Sequence, residues 1–149
     1  MRAAIRLSGQ SMKKNSGPFG CVIVKDGKVI ARAHNTVTLT NDPTAHAEVM
    51  AIRKACKKLG TYQLTGCELY SSCEPCPMCL GAIYWSRPDK VYFACTRKDA
   101  AAAGFDDDVI YQELSLDIAF RKIPFEALLR EEALHTFGEW DLKENKIKY

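Results

Sequence analysis

The chain has 149 residues, 47% of them hydrophobic, which suits one globular domain spanning residues 1–149 with a core of its own. Lysine and arginine number 21 against 18 acidic residues, so the formal net charge is only +3. This balance excludes a dense basic tail for nucleic acid, and no apolar stretch approaches the roughly 20 residues that span a bilayer. The first eleven residues also lack the long apolar stretch of a signal peptide. We therefore expect a cytoplasmic protein with neither a nucleic-acid nor a membrane partner.

The first part of the sequence predicts a helix followed by a β-hairpin. Apolar residues recur at helical spacing within residues 1–14, and the Asn-Ser-Gly-Pro run at 15–18 ends that pattern. Residues 19–25 and 28–34 are rich in strand formers. The Asp-Gly pair between them favours a type I′ turn, so these two strands are expected to pair antiparallel.

The middle of the chain alternates helices with strands. A polar loop at 35–42 leads to good helix formers at 45–59, and Gly60 ends that helix. The next predicted elements are a strand at 67–71, a helix from 75–77 to 86 and a strand at 90–95. The order β-β-α-β-α-β predicts an α/β fold, a three-layer α/β/α sandwich with a central mixed sheet.

The carboxyl-terminal third carries weaker signals. Residues 98–103 are alanine-rich and predict a short helix, and residues 106–108 form an acidic, turn-like cluster. Residues 124–136 have helix-forming composition, whereas the last twelve residues, 138–149, are polar with scattered aromatic side chains. No repeat or linker indicates a second domain.

Seven cysteines make an odd number, which argues against a secreted disulfide framework. Three of them lie within Cys-Glu-Pro-Cys-Pro-Met-Cys at 73–79, a spacing that is typical of metal ligands or redox groups in a reducing compartment. The other four lie in apolar runs and are predicted to be small core residues: Cys21, Cys56, Cys67 and Cys95.

The segment His46-Ala47-Glu48 and the later Cys76-Pro77-Met78-Cys79 together predict a catalytic zinc site. Three residues apart at a helix start, Cys76 and Cys79 project from nearly one face, and the helix N-terminus favours thiolates. Two thiolates and the His46 imidazole leave a fourth tetrahedral position for water. Glu48 is then placed to move protons, and this H-x-E…P-C-x-x-C spacing is the signature of zinc nucleobase deaminases.

Two other metal sites use the same residues. In a closed structural zinc site, Cys73 would be the fourth ligand, and the protein would act as an interaction module. Alternatively, Cys73, Cys76 and Cys79 form a C-x-x-C-x-x-C pattern compatible with an iron–sulfur cluster. Glu48 favours the catalytic site, because a structural site has no use for a carboxylate at that offset.

The sequence resembles the cytidine deaminase-like superfamily through residues 42–48 and 72–82. Within it, the chain is most similar to the bacterial-type guanine deaminases, on Gly-Pro-Phe-Gly at 17–20, residues 79–85 and Ala-Gly-Phe-Asp-Asp at 103–107. Trp140 and the lysine-rich end at Tyr149 add to this likeness. The resemblance implies a cytidine deaminase-like fold for almost the whole chain.

The resemblance also implies roles for individual residues. Asn35 would contact the purine edge through its amide, while Phe19 and Trp85 would frame the base. Ala47 would add a backbone hydrogen bond, and Asp107 would be a second proton shuttle beside Glu48. Tyr149 would complete the pocket of a neighbouring subunit, because in such enzymes the carboxyl-terminal segment, here 138–149, crosses within a homodimer.

We therefore expect a zinc-dependent aminohydrolase that converts guanine to xanthine and ammonia in purine salvage or catabolism. Guanosine deaminase is the first alternative, because the sequence does not show whether ribose fits. A tRNA adenosine deaminase or a cytosine deaminase follows, the former disfavoured by the low net charge.

Overall fold

The computed structural model describes residues 1–105 and 107–149 and divides into two compact units, Met1–Ile110 and Tyr111–Tyr149. Asp106, part of the predicted acidic turn, lies outside the described residues. Within the described part of the chain, no helix is both long and apolar enough to cross a membrane.

The first unit is built on a four-stranded sheet with the strand order β2-β1-β3-β4. The strands are β1 (Gly20–Lys25), β2 (Lys28–His34), β3 (Cys67–Cys73) and β4 (Lys90–Cys95). Strand β1 pairs antiparallel with both β2 and β3, whereas β3 and β4 run parallel. The mixed sheet predicted from the sequence is thereby confirmed.

The hairpin between β1 and β2 turns at Asp26 and Gly27, with φ of 48° and 71°. Positive φ at both central residues is the type I′ geometry that the Asp-Gly pair predicts. The register shifts between Ile23 and Val24, which marks a β-bulge next to the turn. The turn chemistry thus sets the pairing of the first two strands.

Six helices begin among the described residues of the first unit. They are α1 (Arg2–Lys13), α2 (Val37–Thr40), α3 (Ala47–Leu59), α4 (Pro77–Ser86), α5 (Arg97–Ala102) and α6 (Asp108–Ser115). As expected, Gly60 ends α3, in the left-handed conformation with φ of 66°.

Two of these helices were not predicted. Residues 35–42 were expected to form a loop, but α2 forms there because the Asn35 side chain accepts a hydrogen bond from the Val37 N–H (3.0 Å) and starts the turn. Helix α6 begins at Asp108, the last residue of the predicted acidic cluster, and the helix N-terminus favours a carboxylate at this position.

The helices cover both faces of the sheet, as two neighbouring residues of β1 show. A Cβ atom added to Gly20 would collide with the α1 backbone at Ala4 and Ser8. The next residue, Cys21, points to the opposite face and is fully buried in the core with Ala51 of α3. One layer therefore contains α1 and the other contains α3 and α4, which confirms the three-layer sandwich.

The core lies mainly between the sheet and α3. Cys21 and Cys67 are fully buried there, and Cys56 packs against them, as the sequence predicts. The prediction for Cys95 is wrong, because β4 is an edge strand and Cys95 is exposed. All seven cysteines are free thiols.

The second unit contains a short 3₁₀ helix, Ile118–Phe120, and the helix α7, Arg130–Leu142. The helix predicted at 124–136 thus has the wrong bounds. Leu129 has a left-handed backbone, with φ of 52°, so the helix cannot begin before this residue. Glu131 lies in the first turn of α7, where the helix N-terminus favours its negative charge. Helix α7 then continues into the segment 138–149.

Candidate metal centre and active site

The predicted metal ligands lie at the N-termini of two helices. His46 is the N-cap residue of α3 and Cys76 that of α4, both in extended backbone conformation. Pro77 occupies the first turn of α4, where its missing N–H costs nothing. Cys79 follows in the same turn and is almost fully buried. The two helix starts therefore bring three residues from distant parts of the sequence together.

The geometry of the three ligand atoms fits one tetrahedral zinc ion. His46 Nδ1 lies 3.5 Å from Cys76 Sγ and 3.5 Å from Cys79 Sγ. Ligand atoms bound to a tetrahedral zinc at about 2.0–2.3 Å lie about 3.6 Å from one another. Cys73 does not join this group, because its thiol donates to the Thr96 carbonyl oxygen (3.5 Å). Among the described residues, three side chains can therefore hold the ion, which matches the open arrangement of a catalytic zinc.

The protein environment prepares Cys76 as a thiolate. The Cys79 thiol and then the His46 ring donate hydrogen bonds toward its sulfur, which lowers the pKa of Cys76 to about 4. The same bond to Cys76, together with burial, raises the pKa of Cys79. The bond to the Cys76 sulfur also raises the pKa of His46. Zinc binding must therefore displace protons from this group of side chains.

Glu48 lies beside the ligand cluster and is only 4% exposed. Its Oε1 accepts a hydrogen bond from the Ser71 hydroxyl (2.7 Å), and its Oε2 accepts one from the Cys79 thiol (3.5 Å). Burial raises the pKa of Glu48, since the charged form loses solvation, although the Ser71 bond works in the other direction. A carboxyl group held in this way can both take up and release a proton beside the metal position.

A cavity of about 310 Å³ opens in front of the cluster. One wall is aromatic, because Phe19 and Phe105 meet edge to face with their ring centroids 4.8 Å apart. The cavity is lined by Gly17, Phe19, Asn35, Val37, Thr38, His46, Glu48, Cys73, Glu74, Cys76, Cys79, Ala100, Phe105, Asp107 and Ile110. An apolar cavity with a few convergent polar groups is typical of a small-molecule site.

Asn35 and Asp107 are the further polar residues of the cavity that the sequence predicts. Asn35 is buried, and its Oδ1 accepts hydrogen bonds from the Ser16 hydroxyl (2.9 Å) and the Val37 N–H (3.0 Å). Burial raises the pKa of Asp107. Among the described residues, Oδ1 of Asp107 is a buried oxygen without a hydrogen-bond partner. Such an acceptor is suited to a ligand that carries N–H or O–H groups.

Two predicted site residues of the first unit, Ala47 and Trp85, are not among those that line this cavity. Ala47 is fully buried in the first turn of α3. Trp85, near the end of α4, is 62% exposed. Tyr149 belongs to the second unit. Their roles in substrate binding stay predictions.

Sequence reasoning missed several groups that complete the site. Ser71 pairs with Cys21 across the sheet and thus points toward α3 and Glu48, which strand alternation alone would have indicated. The Glu74 carboxylate accepts a hydrogen bond from the Arg97 N–H (2.9 Å) at the start of α5 and also lines the cavity. No local signal in the sequence marks Ser16, the partner of Asn35.

Comparison with known families assigns residues 1–95 to the cytidine and deoxycytidylate deaminase zinc-binding region. The chain is 54% identical to a guanine deaminase of Bacillus subtilis, over the whole of this chain and 96% of that protein. It is also 46% identical to a tRNA-specific adenosine deaminase of Aquifex aeolicus, but over 66% of this chain and 65% of that protein.

The comparison of structures agrees with the comparison of sequences. The X-ray structure of guanine deaminase from Bacillus subtilis superimposes with a TM-score of 0.96, covering 99% of this chain and 95% of that chain at 54% identity. The likeness to this structure therefore extends through the second unit, which the zinc-binding region does not reach.

Zinc binding to the metal-free protein is expected to release at least about one proton near neutral pH, because the raised pKa of Cys79 keeps that thiol protonated until zinc displaces the proton, and the raised pKa of His46 acts in the same direction. Since protons compete with the metal, zinc affinity is expected to fall as the pH is lowered. Calorimetric titrations in buffers of different ionisation enthalpy measure the proton number. Cys79→Ser should weaken zinc binding strongly, while Cys73→Ser should leave it near wild type; equal losses would contradict the three-ligand site.

Proposed function

Because the chain belongs to the family of zinc-binding cytidine and deoxycytidylate deaminases, we propose that it is a guanine deaminase that hydrolyses guanine to xanthine and ammonia. The observation that carries this proposal is the convergence of His46, Cys76 and Cys79 with the buried Glu48 in one small cavity. Full-length similarity to the Bacillus enzyme, in contrast to the partial match with the tRNA enzyme, supports guanine as the substrate.

In the proposed reaction, Glu48 is the main proton carrier. Zinc, when bound, lowers the pKa of water and makes a hydroxide nucleophile available near neutral pH. Glu48 accepts the proton of the attacking water and passes it to the ring nitrogen beside the amino-bearing carbon of guanine. The carbon–oxygen bond forms at the amino-bearing carbon. The proton of the new hydroxyl group is then carried by a carboxyl group to the amino group, the carbon–nitrogen bond breaks, ammonia leaves, and the oxygen becomes the new oxo group of xanthine. Ser71 holds the carboxylate in place through its 2.7 Å hydrogen bond.

Asp107 is proposed to be the second proton shuttle, acting on the departing amino group. Its Oδ1 is buried, and the nearby negative charge of Cys76 adds to burial in raising the pKa of Asp107. A raised pKa makes a carboxyl group a better proton donor at neutral pH. Asp107 would thus assist Glu48 in converting the amino group into a leaving group.

Substrate binding is proposed to depend on stacking and on the purine edge. The aromatic wall, formed by Phe19 and Phe105, offers an apolar surface for the base. Asn35 supplies an amide contact, and the backbone of Ala47 adds a hydrogen bond. Trp85 frames the base according to the family resemblance.

The first test is ammonia release by the zinc-loaded protein from guanine, guanosine, cytosine and adenine at equal concentrations. The rate of ammonia release from guanine is expected to exceed the rate from each of the other three compounds by at least about a hundredfold. A compound whose polar groups do not match those of the cavity leaves the polar groups of the protein unpaired. Glu48→Gln should keep zinc yet lose turnover by about a thousandfold or more, because proton transfer typically contributes two to four orders of magnitude.

Two results would contradict this proposal. Retained activity in Glu48→Gln would remove Glu48 from proton transfer. If zinc is bound and the fold is intact but none of the four compounds releases ammonia, the substrate would instead be assigned as a polynucleotide. A tRNA adenosine deaminase would then be tested with tRNA at two salt concentrations, because phosphate contacts make binding strongly salt-dependent.

Asp107→Asn is expected to lower kcat about a hundredfold, because the amide cannot donate and recover a proton in the way that the carboxyl can. Asp108→Asn is the matched control, since Asp108 starts α6 and does not line the cavity. Steady-state kinetics of both variants with guanine decide the question. Equal losses would reduce the role of Asp107 to its negative charge.

We further propose that the enzyme works as a homodimer whose subunits exchange the carboxyl-terminal segment, including 138–149. The second unit supports this, because large apolar side chains are exposed on it: Phe120, Ile123, Phe125, Leu128, Leu129 and Phe137. In the first unit, β4 is an open sheet edge, and Tyr84 and Trp85 of α4 are exposed. Exposed apolar surface of this extent and an unpaired strand edge are both typical of protein interfaces.

The exchange predicts complementation between two inactive variants. A Glu48→Gln subunit would supply an intact Tyr149 to the pocket of a Tyr149→Ala subunit, which retains its own Glu48. Co-refolded mixtures should therefore be more active than the sum of the two variants refolded separately, and light scattering should show a dimer. A monomer in solution, or a mixture with merely additive activity, would contradict the exchange.

A cytoplasmic location is part of the proposal. All seven cysteines are free, and two of them must remain thiolates to hold zinc. A reducing compartment preserves both conditions.

A further inference from the structure

Asn35 holds its side-chain amide in one fixed orientation. The Val37 main-chain N–H can only donate, so the atom that it meets at 3.0 Å must be the amide oxygen, Oδ1. The Ser16 hydroxyl donates to the same oxygen at 2.9 Å. Exchanging the oxygen and the amino group of Asn35 would therefore place the amino group against the Val37 N–H, a donor against a donor.

The main chain of Asn35 is fixed as firmly as its side chain. Its carbonyl oxygen accepts hydrogen bonds from the Ser11 hydroxyl (3.0 Å) and from His34 Nδ1 (2.8 Å). Its N–H donates to the Phe19 carbonyl oxygen at 3.0 Å. Asn35 is only 5% exposed, so the side chain has little freedom to rotate away from this arrangement.

The amino group, Nδ2, is the remaining end of the amide. None of the hydrogen bonds formed by the described residues uses Nδ2, although Asn35 lines the cavity together with Glu48 and the metal ligands. An amide N–H at the wall of a cavity that has no partner among the described residues is suited to donate to a ligand there. The ligand atom that it meets must then be a hydrogen-bond acceptor.

We propose that Ser16 is a positioning residue for substrate selection, which, together with the Val37 N–H, holds the Asn35 amide with its amino group toward the cavity. This inference rests on the proposed function and adds to it a rule for the substrate. The position facing Asn35 must carry an acceptor, either the 6-oxo oxygen or ring N7 of the purine, the two acceptors of guanine that are not adjacent to its amino-bearing carbon.

The test measures binding of three purines that carry no reactive amino group, so that binding is separated from chemistry. Hypoxanthine has both acceptors, 7-deazahypoxanthine lacks N7, and purine lacks the 6-oxo oxygen. Calorimetry gives the Kd of each compound for the zinc-loaded wild type, Ser16→Ala and Ser16→Thr. Turnover of guanine by the wild type is recorded separately, so a failure of the proposed function is visible by itself.

Ser16→Ala is expected to weaken hypoxanthine binding about fivefold, the size of one lost hydrogen bond. One of the two other compounds lacks the acceptor that Asn35 contacts, and Ser16→Ala should leave the binding of that compound nearly unchanged. Ser16→Thr keeps the hydroxyl and should bind all three compounds like the wild type. In an Asn35→Ala background, Ser16→Ala should have no further effect, because the two residues act as one unit.

Ser8→Ala is the matched control, since this serine lies on α1 and its hydroxyl bonds the Ile5 carbonyl oxygen of its own helix (2.8 Å). Three results would overturn the inference. The first is that Ser16→Ala weakens the binding of all three compounds equally, which indicates a merely structural role. The second is that Ser16→Ala weakens the binding of none of them. The third is that the wild type binds none of the three compounds.

Discussion

The active site depends on the packing of α3 against α4, because each helix presents its metal ligands at its N-terminus. His46 and Cys76 are thirty positions apart in the sequence, yet their ligand atoms lie 3.5 Å from each other. Buried Ala51 and Ala55 on α3 and Ile83 on α4 belong to one core cluster that joins the two helices. A shift of either helix by one ångström would open the ligand cluster, so the core determines the chemistry as directly as the ligands do.

The second consequence of this packing is the burial of Glu48. Removing a carboxylate from water is costly unless hydrogen bonds replace its solvation, and the Ser71 hydroxyl provides such a bond whether or not zinc has displaced the Cys79 proton. The fold thus accepts a locally unfavourable group at the place where proton transfer is needed. Asp107, with a buried oxygen that has no partner among the described residues, is a second group of this kind.

Much of the fold and of the metal centre could be predicted from the sequence, because their signals are local. The Asp-Gly turn, the Gly60 helix end and the spacing of His46, Cys76 and Cys79 each depend on a few neighbouring residues. The bond from Ser16 to Asn35 could not be predicted, since Ser16 lies nineteen positions away and meets Asn35 only through the tertiary fold. Helix α7 was misplaced for another reason: composition does not reveal that Leu129 adopts a left-handed backbone.

Gly20 is the point of closest approach between β1 and α1, where any side chain would strike the α1 backbone. Through Ser11, the same helix also holds the carbonyl of Asn35. In evolution or directed selection, residues around the cavity can be substituted to suit a new base, whereas Gly20 cannot be replaced without a change in the packing of α1 on β1. In a chain without this glycine, α1 would first have to shift to a new position on the sheet before substitutions in the cavity could change the substrate.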